Sequence, residues 1–317
     1  MSNLPPGSGT FCLPLRFLRC VGFARLAKLG SVQIPFCSGF SPIAPRPIPA
    51  HSTPMPELAE VEYFRKQWDA GIGGKILRVA SHPKARLFRG IDLPTMEQAL
   101  TGAKLLGSAA HGKQMLFRFS TATLGLHLGM TGKLHTAAPD FEPAKHDHLV
   151  LYEKSVALIF TDFRLFGRVL FHPGKADPDW WTALPPQVTA PDFTKDAVAA
   201  FLARRKQAPI KAVLLMQERF PGIGNWMADE ILWRARFLPS RRSGTLTPEE
   251  TATLWKETRE VSRQALKTIG ERWEDPPDTW LFHHRWEKDH ACPRCGLDLH
   301  RAQVGGRTTC WCAKCQH

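Results

Sequence analysis

The sequence predicts an α+β protein in three parts: an N-terminal helix with a two-layer β-sandwich, then a helical domain, then a small metal-binding β-hairpin module. Three observations carry that reading. Short apolar segments of strand length crowd residues 75–170. Helical periodicity takes over after residue 191. Five of the eight cysteines fall within the last 26 residues, in a spacing that suits a metal.

Composition narrows the function. A chain of 317 residues allows two domains, or one with appendages. No apolar run approaches the roughly 18 residues of a membrane span. With 42 Lys and Arg against 29 Asp and Glu, the net charge of +13 points to a polyanionic partner, nucleic acid first.

Residues 1–54 differ from the rest. They carry five Arg or Lys, no Asp or Glu, and many Pro, Ser and Gly without a sustained period. The expectation is a leader outside the folded core. An organellar transit peptide is one reading of it and an upstream start codon another.

From Met55 the texture changes. Leu58, Val61, Phe64 and Trp68 recur at helical steps, which predicts an amphipathic helix beginning near Pro56–Glu57. Residues 114–119, 124–128, 148–152, 156–160 and 169–171 read as strands of a β-sandwich. A Pro- and Asp-rich linker runs from Pro173 to Pro191. Candidate helices follow at 195–205, 209–219, 225–236 and 247–269, and a second linker covers Glu274–Asp278.

The tail carries the strongest local signal. Cys292-Pro-Arg-Cys295 and Cys312-Ala-Lys-Cys315 are two C-x₂-C knuckles separated by sixteen residues. Four thiolates at that spacing predict one closed, tetrahedral, structural Zn²⁺. A module of about 30 residues buries too little apolar surface to fold alone, so the metal supplies its folding energy. Cys310 is the odd thiol. Gly305-Gly306 predicts a tight turn with Arg307 at the hairpin tip, where a guanidinium can grip phosphate.

In the helical domain, Pro221-Gly-Ile-Gly-Asn225 joins two amphipathic stretches. Such a turn opens backbone N–H groups at a helix N-terminus, where the dipole favours an anion. Asn225 is expected to cap the second helix and to donate its amide outward.

Together these pieces resemble the formamidopyrimidine-DNA glycosylase and endonuclease VIII family, closer to the formamidopyrimidine type. Met55-Pro-Glu-Leu-Ala-Glu-Val-Glu62 is similar to its N-terminal signature. Pro221 to Glu230 resembles its helix–two-turn–helix motif, and Gly306 to Gln316 its closing zinc finger. Ala110–Lys113, His127–Gly132, Lys145–His148 and Thr161–Gly167 lie between them in the family's order. Under this resemblance, residues 55–185 form the catalytic sandwich, 186–275 the helix–two-turn–helix DNA-binding domain and 280–317 the zinc finger.

The resemblance implies an enzyme of base-excision repair acting on damaged double-stranded DNA, as a monomer. It excises oxidised bases of the 8-oxoguanine and formamidopyrimidine class, then cleaves the abasic site by β,δ-elimination. Pro56 is the implied nucleophile, a secondary amine that forms an iminium with C1′ of the sugar. Glu57 is the implied general acid at the ring oxygen, and Glu60 helps hold that geometry. Lys113 contacts phosphate and lesion, and Arg307 grips the flanking phosphates. Met130, Arg164 and Phe166 fill the space left by the everted nucleotide. His146, Lys206, Lys211 and Asn225 match phosphate-contacting positions.

Departures qualify the resemblance. In this chain a peptide bond joins Pro56 to Met55, and an amide nitrogen is no nucleophile. The expectation is that translation begins at Met55 with that residue removed, processing of a leader being the alternative. A retained leader would leave a non-catalytic damaged-DNA-binding protein. Ala59 replaces a usual proline, and Leu165 a usual arginine. The stretch from Arg272 to Ala291 is short for a lesion-capping loop, and Phe282-His-His-Arg285 leans toward endonuclease VIII. An oxidised-pyrimidine glycosylase is therefore the second reading. The expected location is cytoplasm and nucleoid in a bacterium, with organellar targeting by residues 1–54 the alternative.

Overall fold

The computed structural model describes residues 55–82, 86–286 and 290–317, so the leader expected over residues 1–54 lies outside the described residues. Helix α1 spans Leu58–Gln67. Glu60, in its first turn, reaches back to accept the Glu57 backbone N–H at 3.2 Å, and Arg65 and Lys66 stand in its last turn. Both placements suit the helix dipole. The helix serves two cores. Leu58 and Ala59 pack into the helical domain, whereas Val61, and Trp68 just beyond the helix, pack into the sandwich. Glu57, at its head, therefore stands where the two meet.

The chain continues through β1 (Arg78–Ser81), α2 (Leu93–Leu100), β2 (Leu105–His111), β3 (Gln114–Phe119) and β4 (Ala122–His127). Next come β5 (Gly132–Ala137), β6 (Asp147–Tyr152), β7 (Ala157–Asp162) and β8 (Arg168–Pro173). Two antiparallel sheets result, ordered β1-β6-β7-β5 and β2-β3-β4-β8. Alternate residues face the space between them: Met115, Phe117 and Phe119 from β3, Leu149 and Leu151 from β6, Leu158 and Phe160 from β7. Each such side chain contributes about 1.5–3 kcal/mol on burial. The chain changes sheet between β1 and β2, between β4 and β5 and between β7 and β8. The last two crossovers carry Met130 and the Arg164–Phe166 segment, so the topology brings these two loops together.

A linker follows, with a short helix α3 (Asp179–Thr182). It is fastened to β2 where His111 Nε2 lies 2.6 Å from the Pro185 carbonyl and Gln187 donates to Ala110 O at 3.2 Å. The helical domain holds α4 (Lys195–Arg204), α5 (Ile210–Leu214), α6 (Asn225–Ala235) and α7 (Pro248–Ala265). A π-helical turn at Leu266–Gly270 continues the last. Phe201, Ile210, Leu214, Phe220, Trp226, Ile231, Leu254 and Val261 share its core.

Several sequence boundaries are corrected. The helix expected over 209–219 is only five residues long. The Gln217 side chain ends it, donating to Leu215 O and Ile223 O and accepting the Gly222 N–H, so the backbone finds partners outside a helix. The long helix expected over 247–269 is α-helical only to Ala265. Strands β1, β2 and β5 and helix α2 were not foreseen.

The tail forms a hairpin of β9 (His300–Val304) and β10 (Arg307–Trp311). Gly305 and Gly306, at φ 60° and 74°, make its two-residue turn, a backbone that favours glycine at both places. Gln316 ties the module to the helical domain by accepting from Cys312 N and donating to Phe237 O. No described helix is long and apolar enough to cross a membrane.

Candidate active site

The Glu57 carboxylate is buried at the N-terminus of α6 and accepts three backbone N–H groups: Gly224 at 2.9 Å, Trp226 at 2.9 Å and Met227 at 3.1 Å. The sequence permits this because residue 224 lacks a side chain. A Cβ there would stand 2.2 Å from Glu57 Cδ. The turn is also pressed against the β2–β3 hairpin: Gly112 has φ +59°, and a Cβ on it would come within 2.9 Å of Gly222 N. The same hairpin turn presents Lys113. The expected cap, Asn225, is corrected: Gly224 occupies the N-cap and Asn225 is the first helical residue. Its amide is engaged at home, donating to Thr308 O of the hairpin at 2.8 Å, rather than pointing outward.

Burial dominates the electrostatics. It raises the Glu57 pKa above the ordinary carboxylate value, against the lowering effects of Lys113 and the backbone N–H donors. Glu60, accepting from the Trp226 indole at 3.0 Å, is pushed up to about 7 by burial and by the neighbouring Glu57 charge. Lys113 is lowered by burial and by Arg307, while both glutamates pull the other way. Two carboxyls and an amine with pKa values drawn toward neutrality, side by side, are a proton-handling arrangement.

Pro56 is buried directly ahead of Glu57, and the Lys113 Nζ lies 3.8 Å from Met55 Sδ. A cavity of about 580 Å³ opens here. Glu57, Lys113, Met130, Asn225 and Arg307 line it, together with Arg285, Trp286 and Arg301, which sequence reasoning did not single out as site residues.

The two sheet-crossover loops form one projecting edge. Arg164 and Phe166 are exposed, with the guanidinium 4.9 Å over the ring, and Met130 is half-buried beside the cavity. Buried Asp162 organises them. Its carboxylate accepts from Thr131 Oγ1 at 2.6 Å, Arg164 N at 3.1 Å and Gly167 N at 2.7 Å. Leu165 takes a left-handed backbone (φ 57°) and turns its side chain to the sandwich core. Nothing in the local spacing marked Asp162 for this work.

The remaining positions divide. His146 is half-buried, its ring 4.7 Å from the Phe163 ring, and Lys206 is exposed. The assignment of Lys211 to phosphate is corrected, for it has no exposed surface. Its ammonium donates to Asn225 O at 2.7 Å and pairs with buried Asp229. Leaving either ion of such a pair alone costs several kcal/mol, so the lysine stays inside. Asp229 also accepts from Arg285 at 2.7 Å and from Cys310 N at 3.3 Å. It thus joins helix, hairpin and the segment leading to the finger.

The sulfurs of Cys292, Cys295, Cys312 and Cys315 all lie within 4.8 Å of one another, and this cluster can hold a metal ion. Cys292–Cys315 and Cys295–Cys312 are 3.9 and 3.5 Å apart. The Trp233 indole donates to Cys292 Sγ at 3.4 Å, the kind of second contact that orients a thiolate ligand.

Comparison with known proteins identifies the family. A model of the formamidopyrimidine-DNA glycosylase N-terminal domain matches residues 55–169, and one of the same enzyme's H2TH domain matches residues 184–275. Formamidopyrimidine-DNA glycosylase of Roseiflexus sp. is 35% identical over 280 residues, covering 83% of this chain and 100% of the relative. That of Pelotomaculum thermopropionicum is 32% identical over 275 residues, covering 83% and 99%. Among solved structures, the wild-type Lactococcus lactis enzyme with DNA containing an oxidised pyrimidine superposes with a TM-score of 0.74 at 27% identity, covering 83% of this chain and all of that one. The same enzyme with DNA containing a formamidopyrimidine lesion gives 0.72 at 27%, covering 82% and 100%. The chain belongs to the formamidopyrimidine-DNA glycosylase and endonuclease VIII family.

Proposed function

We propose that this protein excises oxidised bases from double-stranded DNA and then cleaves the strand at the abasic site. One observation carries the reading: a carboxyl kept buried on a helix N-terminus, next to a proline and a lysine, at the floor of a cavity rimmed by arginines.

In the proposed reaction the Pro56 nitrogen, once freed from Met55, attacks C1′. The bond to the base breaks, its electron pair leaves with the base, and the proton lost from the Pro56 nitrogen neutralises the departing base. Glu57 donates its proton to the sugar ring oxygen, the ring opens and an iminium joins Pro56 to C1′. Loss of the C2′ proton then expels the 3′ phosphate, and a second elimination expels the 5′ phosphate. Lys113 and Arg307 supply positive charge beside the leaving phosphates. Burial of Glu57 serves the first step, because a raised pKa favours the protonated acid.

The four cysteines would hold one zinc ion. Two sulfur pairs lie 3.9 and 3.5 Å apart and all four sulfurs within 4.8 Å, close enough to share one ion. Such an ion would supply folding energy to the hairpin that carries Arg307.

Borohydride trapping on abasic-site DNA tests the whole reading. A chain beginning at Pro56 is expected to give a covalent adduct and the 317-residue chain none. No adduct from either form would remove the imine mechanism.

A further inference from the structure

Arg285 and Trp286 have no part in the chemistry above, yet both line the cavity. Arg285 is only 6% exposed, and its charge reaches Glu57, lowering the pKa that burial raises. Its orientation is set from behind. Nε and Nη2 donate to Asp229 Oδ2 at 3.2 and 2.7 Å, and Asp229 is itself fully buried and paired with Lys211. A guanidinium has five N–H groups, and this pairing occupies two. Nη1 makes no hydrogen bond to any described residue.

Trp286 stands against it, with the guanidinium carbon 4.3 Å from the ring centre. The indole ring is braced by Phe282 at 5.7 Å, and its Nε1–H is buried without an acceptor among the described residues. Arg285 therefore offers Nη1 as a donor on the cavity wall, with the Trp286 ring packed against it, and neither side chain can accept a hydrogen bond.

We propose that Arg285, backed by Trp286, is a specificity-determining residue that reads the edge of the everted base. Resting on the glycosylase reading above, the inference says which lesion edge this wall rewards. A donor-only wall favours a base whose outer edge carries ring carbonyls, such as the C2 and C4 oxygens of a ring-saturated pyrimidine. It disfavours the amino-bearing edge of a guanine-derived lesion, whose N–H groups would meet N–H groups. Asp229 makes the fork rigid, so the readout costs little ordering when the base arrives.

The test compares three duplexes, carrying 5,6-dihydrouracil, formamidopyrimidine-guanine or a preformed abasic site. The Pro56-start protein is measured beside Arg285→Lys, which keeps a cation on Asp229 but loses the planar fork, and Trp286→Phe, which keeps an aromatic ring against the guanidinium. Arg285→Lys is expected to lower kcat/KM on dihydrouracil at least tenfold more than on the other two substrates. Trp286→Phe, which keeps the brace behind Arg285, should change it by less than threefold in the same comparison. Equal losses for Arg285→Lys on all three duplexes would mean a merely structural role and overturn the inference, as would no loss on dihydrouracil. A parent protein active on formamidopyrimidine-guanine but not on dihydrouracil would overturn it too. Inactivity of the parent on all three duplexes would remove the glycosylase reading itself, and the inference with it.

Discussion

Glu57 and Gly224 are fitted to each other: the glutamate carboxylate accepts the glycine N–H at 2.9 Å, in a space that a Cβ on residue 224 would invade to 2.2 Å from Glu57 Cδ. Two residues far apart in sequence thus fix the position of one carboxyl. Changing either should move the same atom.

Gly224→Ala is expected to displace the carboxylate and lower base excision by about 10- to 100-fold, with about 1–3 kcal/mol of stability lost to overpacking. Glu57→Gln should do more, about 100-fold or beyond. It removes the proton and also turns amide hydrogens toward backbone N–H groups that need an acceptor. Single-turnover excision and urea unfolding measure the two quantities. An alanine at 224 that leaves the excision rate intact would show that the carboxylate position is not limiting.

Excision should also respond to pH through the Glu57–Glu60 pair. The acid must carry its proton, so the rate falls as pH rises through the pair's apparent pKa. Glu60 at about 7, with Glu57 raised as well, places that alkaline limb above the ordinary carboxylate range, and the pair titrates as a unit. A pH–rate profile on a base-bearing duplex reads it. An alkaline limb near pH 4.5 would contradict the burial of these groups.

Glu230 makes a separate prediction about stability. It is buried on α6, Oε2 accepting from Phe282 N at 3.1 Å and Oε1 having no partner among the described residues, and burial pushes its pKa up to about 8. The folded protein therefore binds this proton more tightly than the unfolded chain. Its stabilising contribution is complete below pH 4.5, the ordinary value, and is lost as pH rises through about 8. Melting midpoints should fall between pH 5 and 8.5, and Glu230→Gln should flatten that slope. An unchanged slope in the variant would assign the effect to other groups.

Much of this was legible in the sequence where function sits in local spacing. The two cysteine knuckles, the Gly305–Gly306 turn and the Pro56–Glu57 head of α1 each announce themselves within a few residues. What stayed hidden depends on neighbours brought from afar. Asp162 reads as an ordinary strand end, yet it pins the loop carrying Arg164 and Phe166. Lys211 matches a phosphate-contacting position by resemblance, and only the fold shows Asp229 facing it. Strand β5, Gly-Lys-Leu-His-Thr-Ala, lacks the β-branched and aromatic run that marks its neighbours, so pairing with β7 rather than propensity makes it a strand.

The crossover loops give a prediction about the duplex. Phe166 is 54% exposed, close in sequence to Phe163 at 57%, and Asp162 holds its loop in place. Phe166→Ala should leave the fold intact and weaken the distortion of damaged DNA. A 2-aminopurine opposite the lesion should lose most of its fluorescence rise on binding. An equal rise in the variant would mean the ring does not enter the stack.

Metal removal should separate the finger from the rest. The hairpin contacts the helical domain through Gln316 and the Asn225–Thr308 bond, whereas the sandwich has its own core. A chelator is expected to release one zinc per chain, open the hairpin and carry Arg307 out of the cavity. DNA affinity should fall by about 10- to 100-fold, through loss of phosphate contacts, while the sandwich stays folded. Cys292→Ser should reproduce the loss without a chelator. Metal content, near-ultraviolet circular dichroism and DNA affinity measured on one sample decide it. If zinc leaves and affinity does not change, Arg307 is not held by the metal and the finger's role in gripping phosphate falls. If the whole protein unfolds, the module is part of one cooperative unit, and the buried Lys211–Asp229–Arg285 triad, which also binds Cys310 N, is the physical link that makes it so.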